Sequence, residues 1–232
     1  MGRLFVTEGL VDLSITTVDS TLLKAKGPVW HKSSMKKGKV PCSGIDTDAR
    51  WGYSHTKRWI FGYKLHLTST TGDLIVPLTA DVTTANVQDN QMYVSLTSSS
   101  SAVFSLPLTC YMVGDPGYDD KKLYEYSKKV LGIDLVCPVE RYKSTSKKRL
   151  ELVCFYDSEI GQAIYSRRRI SIEPLIEQIK SVFRIDPLPA RGFHTVSAIV
   201  LLAVLLYQLM VYYNCKLEKI NPRSIKYMLG TG

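Results

Sequence analysis

Acidic side chains are the scarcer charge in this chain: 21 Asp and Glu stand against 30 Lys and Arg, leaving a formal charge of +9 at neutral pH. That deficit, with a pI near 9.2, implies an anionic partner, either nucleic acid or a membrane surface. Charge alone does not choose between them. Cysteine is also sparse. Cys42, Cys110, Cys137, Cys154 and Cys215 are odd in number and share no paired spacing, which excludes a disulfide framework and argues against structural zinc. They read as reduced, mostly buried thiols of a cytoplasmic protein. The four histidines, His31, His55, His66 and His194, show no ligand spacing, and none is assigned a catalytic role. No basic region followed by an apolar core opens the chain, so no signal peptide is read, and Val6 speaks against myristoylation. Internal repeats and a helix-turn-helix candidate are absent as well.

What is present suffices for a core. The chain has 232 residues, 45% of them hydrophobic, which fits one main domain. We place it over residues 13–214, between a short N-terminal segment (1–12) and a tail (215–232). "LSITTVDST" reads as a strand ending near Asp19, with a loop beginning at Ser20. A long basic loop follows to Arg50. "RWIFGYKLHLTSTTGDLIVPLTADV" reads as a hairpin, with strands at 59–68 and 74–80. Helical spacing at Val87, Met92 or Tyr93, and Leu96 gives way to the run Ser98–Ser101, read as a loop. "LPLTCYMVG" is a buried strand stopped by Asp115-Pro116-Gly117. A helix from Asp119 or Asp120 to Gly132 and a strand "IDLVCPV" come next, then a basic loop, Arg141 to Arg149. A helix over 173–183, N-capped by Ser171, and an apolar helix from about Phe193 to Tyr213 complete the order. The order implies an α/β fold, a mixed sheet flanked by helices. The uncharged stretch Val196–Tyr213 is long enough to cross a bilayer, and equally suits the central helix of a core.

Asp19 and Asp115 are each expected at the C-terminal end of a buried strand, where sites form in open α/β sheets. An Asx-turn or a cap is the plain alternative for either. Glu173, in "YSRRRISIEPLIEQIK", is the third carboxylate; Glu177 is its rival, and Asp81 and Asp89 are secondary candidates. Three converging carboxylates repel unless cations neutralise them. Their hard oxygens suit Mg²⁺ or Mn²⁺ rather than zinc, and a pair of such ions suits attack on a phosphodiester. Arg169, Glu173 and Lys180, spaced by four and seven, would share a stripe on one continuous helix, with the two cations free for phosphate oxygens. The basic loops at 32–39 and 141–149 could track a DNA backbone. Trp59, Phe61 and Tyr63 alternate, as one packed strand face would.

At these residues the chain resembles the DDE transposases of prokaryotic insertion sequences. "TVDST" resembles the first aspartate motif, "VGDPGYDD" the second and "RRRISIEPLIEQIK" the third, of the tyrosine-arginine-glutamate-lysine type. Ser166 stands where that signature has its tyrosine, and Tyr165 lies one residue ahead. "WIFGYKLHL" and "ADVTTANVQDN" resemble the family's second and third strands and the segment after them. The resemblance runs from about Asp12 to Tyr213. It implies a ribonuclease-H-like fold, a triad of Asp19, Asp115 and Glu173 acting as catalytic and metal-binding residues with two Mg²⁺ (or Mn²⁺), and an apolar helix belonging to the core. It implies DNA, both element ends and target, as the partner, contacted by Arg169, Lys180, Arg168 and Lys64, and a cytoplasmic, nucleoid-associated location. A homodimer on DNA fits this reading. Only eighteen residues precede Asp19, so the sequence reads as N-terminally short: a split product whose end-recognising domain is separately encoded, a truncated remnant, or a catalytic fragment. The rival expectations are a catalytically silent DNA-binding remnant and a membrane-anchored basic protein.

Overall fold

A computed structural model describes residues 1–54, 58–104, 109–140, 146–218, 221–222, 224–228 and 230. In chain order its elements are α1 Gly2–Thr7, β1 Ile15–Lys24, α2 Lys32–Lys36, β2 Arg50–Ser54, β3 Arg58–Thr70, β4 Pro77–Thr84, α3 Asp89–Phe104 and β5 Tyr111–Val113. Then come α4 Lys121–Tyr126, β6 Asp134–Val136, α5 Lys147–Asp157, α6 Glu159–Ile170, α7 Ile172–Phe183, α8 Phe193–Tyr213 and α9 Ile225–Met228. His55, Lys57 and residues 141–145 of the second basic loop lie outside the described residues.

The sheet is mixed, as the alternation of element types implies. Its order is β2-β3-β1-β5-β6, with β4 paired to β3 as well. β1, β5 and β6 run parallel, while β3 is antiparallel to β1, β2 and β4. Side chains alternate across the strands and so feed two cores. Met112 and Leu135 pack with Tyr93 and Leu96 of α3 and Leu123 of α4. Val113 and Val136, one residue further along each strand, pack with Ile164 of α6. The largest cluster joins Tyr63, Leu65 and Leu67 of β3 to Leu175, Ile176 and Ile179 of α7 and to α8.

Several expected boundaries move, each for an identifiable reason. β1 does not stop at Asp19; Ser20 to Lys24 continue the antiparallel ladder with β3, from His66 to Gly62. Only its parallel partner ends early, because β5 reaches no further than Val113, opposite Thr17. β2 lies at the end of the stretch read as loop, and Gly52 allows the backbone of Ala85 to approach closer than any side chain would permit. The serine run is helical: α3 continues to Phe104 and Ser98 pairs with the Tyr126 hydroxyl. Lys32 to Lys36 form a short helix. The cysteines, expected mostly buried, are not: Cys42, Cys110 and Cys154 are exposed and Cys137 is buried. Phe61 and Tyr63 are buried as strand packing predicts, but Trp59 is 55% exposed, with Lys32 Nζ 3.2 Å from its ring centre.

α8 is long and apolar enough to cross a bilayer, with a mean hydropathy of 2.1 over its most apolar window. One side of it is core. Val196, Val200, Val204, Tyr207 and Val211 recur every three or four residues and are buried. Gln208, whose polarity interrupts the run, donates to the Pro77 carbonyl of β4 at 2.7 Å, and the Tyr207 hydroxyl reaches Gln178 of α7 at 2.8 Å. Leu202, Leu205 and Leu209 lie on the outer side and stay exposed. The two sides predict different costs. Val200→Ala should lower unfolding stability by about 2 kcal/mol, whereas Leu202→Gln should change it by less than about 0.5 kcal/mol. Urea titrations followed by circular dichroism check both.

Candidate active site

The parallel β1–β5 pair ends where Thr17 faces Val113. Asp19 and Asp115 each lie two residues beyond that point, so they meet at one level as the strands part. Asp115 is the N-cap of a 3₁₀ turn, Pro116–Tyr118, and accepts from the Gly117 amide at 2.9 Å. Asp19 accepts from the Ser20 amide at 2.8 Å and is 7% exposed. Asp19 is thus a mid-strand residue placed at a strand end by its neighbour's brevity.

Glu173 arrives from α7. α6 stops at Ile170, and Ser171 has φ −112° and ψ −85°, outside helical geometry, so α6 and α7 are separate helices. Ser171 does precede α7, but its hydroxyl donates to the Arg167 carbonyl rather than capping. The break overturns the single stripe expected for Arg169, Glu173 and Lys180. Arg169 is exposed on the last turn of α6. Arg168, one residue earlier, points at the acids: Nη2 donates to Asp19 Oδ2 and Nη1 to Glu173 Oε1, both at 2.7 Å. One guanidinium therefore joins the β1 aspartate to the α7 glutamate.

Lys180 is buried beneath this point. It pairs with Asp186 at 3.0 Å and Glu177 at 3.3 Å, and lies 3.5 Å from the Thr21 hydroxyl of β1. Glu177 is thereby a neighbour of Lys180, not of the aspartates. Lys64 is held by Asp89 at 2.9 Å and the Val87 carbonyl at 2.7 Å. Asp89 opens α3, accepts from the Ser20 hydroxyl at 2.7 Å, and shares with Asp115 the space around Gly117. Asp89 was a secondary candidate in the sequence, because a carboxylate at a helix start is ordinarily a cap.

Burial governs the electrostatics. Asp19 is pushed up to about 7 by loss of solvent, with Asp115 and Asp89 adding to the rise and Arg168 opposing it. Asp115 is raised by burial and by Asp89, again against Arg168. Burial works against the charge on Arg168, but Asp19, Asp115 and Glu173 together hold it up. His66, fully buried beside Asp89, is pushed down to about 4 by burial and is held neutral at physiological pH.

These shifts have a stability consequence. A carboxyl whose folded-state pKa is raised binds its proton more tightly folded than unfolded, so its contribution is greatest at low pH and declines as pH rises. In EDTA, the contribution of Asp19 should fall by roughly 2–4 kcal/mol between pH ~4 and ~7, while His66 works in the opposite sense over the same range. The difference in urea stability between the wild type and Asp19→Asn across that pH range isolates the Asp19 part.

Among the described residues, no three His, Cys, Asp or Glu side chains gather at ligating distance. The donor set nonetheless fits a divalent cation. It offers hard carboxylate oxygens, those of Asp19 buried and those of Asp115 half-buried, with a cationic side chain between Asp19 and Glu173.

A second Arg–Asp pair supports the site from behind. Asp119, four residues after Asp115, accepts from Arg149 Nη1 at 2.6 Å, from the Glu140 amide at 3.0 Å and from the Tyr124 hydroxyl at 3.1 Å. Arg149, expected in a basic DNA-tracking loop, is instead a buried residue of α5.

The family model for the transposase DDE domain matches residues 11–209. The chain belongs to that family, which implies DNA as its partner. No curated protein matches it closely enough to count as a relative.

Proposed function

We propose that this chain is the catalytic domain of a DDE transposase, cleaving DNA phosphodiesters at element ends and joining the 3′-hydroxyl to target DNA. A ribonuclease-H-like fold is part of the proposal: three parallel strands, β1, β5 and β6, are extended by the antiparallel β3 and β4. The observation that carries it is Arg168 joined to both Asp19 of β1 and Glu173 of α7, with Asp115 just past the end of the adjacent strand β5.

In this reading Asp19, Asp115 and Glu173 hold Mg²⁺ or Mn²⁺, which when bound supplies activation of the attacking oxygen and stabilisation of the departing one. The chain's own residues do the rest. The parallel β1–β5 pair fixes the two aspartates, and the Asp115–Gly117 bond fixes the direction of the second. Arg169, exposed beside the site, meets phosphate oxygens as a charged fork. Lys180, buried and tied to Asp186, lends positive potential near Thr21, and Lys64 keeps Asp89 neutralised. Bound DNA is held by charge and should therefore be salt-sensitive.

The test is conversion of supercoiled plasmid to nicked and linear forms in Mg²⁺ or Mn²⁺. Cleavage that EDTA abolishes supports the proposal. A homogeneous, folded protein that binds DNA without cutting it in either metal contradicts it.

A further inference from the structure

Two buried Arg–Asp pairs flank the same turn, and they are built differently. Arg149 and Asp119 form a fork, and Asp119 also accepts from a backbone amide and a tyrosine hydroxyl, so that carboxylate is fully engaged. Such a pair is a permanent strut. Arg168 instead divides itself. Each Nη meets one oxygen of a different carboxylate on a different element. Among the described residues Asp19 accepts from the Ser20 amide and from Arg168, and Glu173 is 44% exposed at its side chain. A guanidinium carries five N–H donors in a fixed fork, and this one is matched to none of its partners bidentately. The geometry is that of a removable counter-charge.

We propose that Arg168 is the resident cation of the metal-free site: it neutralises Asp19 and Glu173 until a divalent cation displaces it, and the freed guanidinium then binds a DNA phosphate. This rests on the reading of Asp19, Asp115 and Glu173 as the metal-holding set. Its physical content is a competition followed by a hand-over. In the absence of metal, bare carboxylates at this depth would repel, and Arg168 holds β1 and α7 together across them. A divalent cation must break two hydrogen bonds to enter, which weakens its binding. Once it has entered, a side chain carried on the last turn of α6, beside the exposed Arg169, is left without its acids at the place where an anionic substrate arrives. Metal and DNA then help each other bind, and by linkage the help is mutual.

The experiment is titration of the DNA-free protein with Mn²⁺, read by the loss of the free-ion electron paramagnetic resonance signal. Arg168→Gln should tighten Mn²⁺ binding on the order of tenfold, while Arg167→Gln, an equal loss of charge on the same turn, should not. Arg168→Lys serves should the glutamine variant fail to fold, because one ammonium on a shorter reach cannot bridge both acids; it too should tighten the ion. A second readout is binding of a short DNA duplex by fluorescence anisotropy, in EDTA and in Ca²⁺. Ca²⁺ should strengthen binding by the wild type more than by either Arg168 variant. Mn²⁺ affinity unchanged or weakened in both Arg168 variants, although still lost in Asp19→Asn, overturns the inference alone. Wild-type Mn²⁺ binding indifferent to Asp19→Asn overturns the underlying reading of the site.

Discussion

Asp19→Asn, Asp115→Asn and Glu173→Gln should each lower Mg²⁺-dependent DNA cleavage on the order of 10³-fold or more, and any two together should cost little beyond one. The three carboxylates act as a unit in the proposed chemistry, so removing one disables what the others hold. The variants separate loss of chemistry from loss of fold. Asp19→Asn removes a carboxylate that burial pushes up to about 7, so at pH 8 in EDTA this variant should be no less stable than the wild type. Glu177→Gln is the internal comparison, because Glu177 contacts Lys180 rather than the aspartates; its cleavage should stay within about threefold, the ordinary scale for a surface substitution. Plasmid nicking rates paired with urea midpoints measure both properties.

The second large effect lies behind the site. Arg149→Ala should destabilise the protein by about 3–5 kcal/mol, since it strands a buried carboxylate. Asp119 has a fully buried side chain, and its pKa is lowered despite burial because Arg149, the Glu140 amide and the Tyr124 hydroxyl all favour the charged form. The double change Arg149→Met with Asp119→Leu should recover part of the loss, as apolar side chains of similar volume avoid the stranded charge. Recovery should be incomplete, because the Glu140 amide and the Tyr124 hydroxyl lose their acceptor. Urea unfolding with an unchanged m-value would show that stability itself moved.

How far these residues could be read beforehand differs from place to place. Asp115 was legible because Pro116 and Gly117 punctuate the strand that precedes it, and Gly132 marks a helix end by the left-handed conformation it adopts, with φ +71°. The extent of α7 was legible to within a residue, expected over 173–183 and observed at Ile172–Phe183. The extension of β1 beyond Asp19 was not, because the cause is a partner strand, β3, whose thirteen residues outreach the three of β5. Tertiary pairing of that kind leaves no local trace. The choice of Arg168 over Arg169 depended on where α6 ends, and a helix boundary one residue away turns a side chain by about 100°. Arg149 looked like one more cation in a basic run; only its burial against Asp119 separates it from a solvated lysine. Asp89 was hidden for a similar reason: a carboxylate at a helix start is ordinarily a cap, and its company of Ser20, Lys64 and Asp115 comes from three other segments.

The outward leucines of α8 follow the same logic. Sequence identified an uncharged helix; the structure distributes it between a core face of Val196, Val200 and Val204 and an outer face of Leu202, Leu205 and Leu209.

Iron-directed backbone cleavage probes the heart of the account. Fe²⁺ takes the place of Mg²⁺, ascorbate and peroxide generate hydroxyl radicals where the ion sits, and mass spectrometry locates the cuts. Cuts confined to the segments around residues 19, 115 and 173, and suppressed by excess Mg²⁺, are the predicted result. Cuts that miss any of those three segments, or that persist unchanged in Asp19→Asn, would show that the carboxylates do not share a cation.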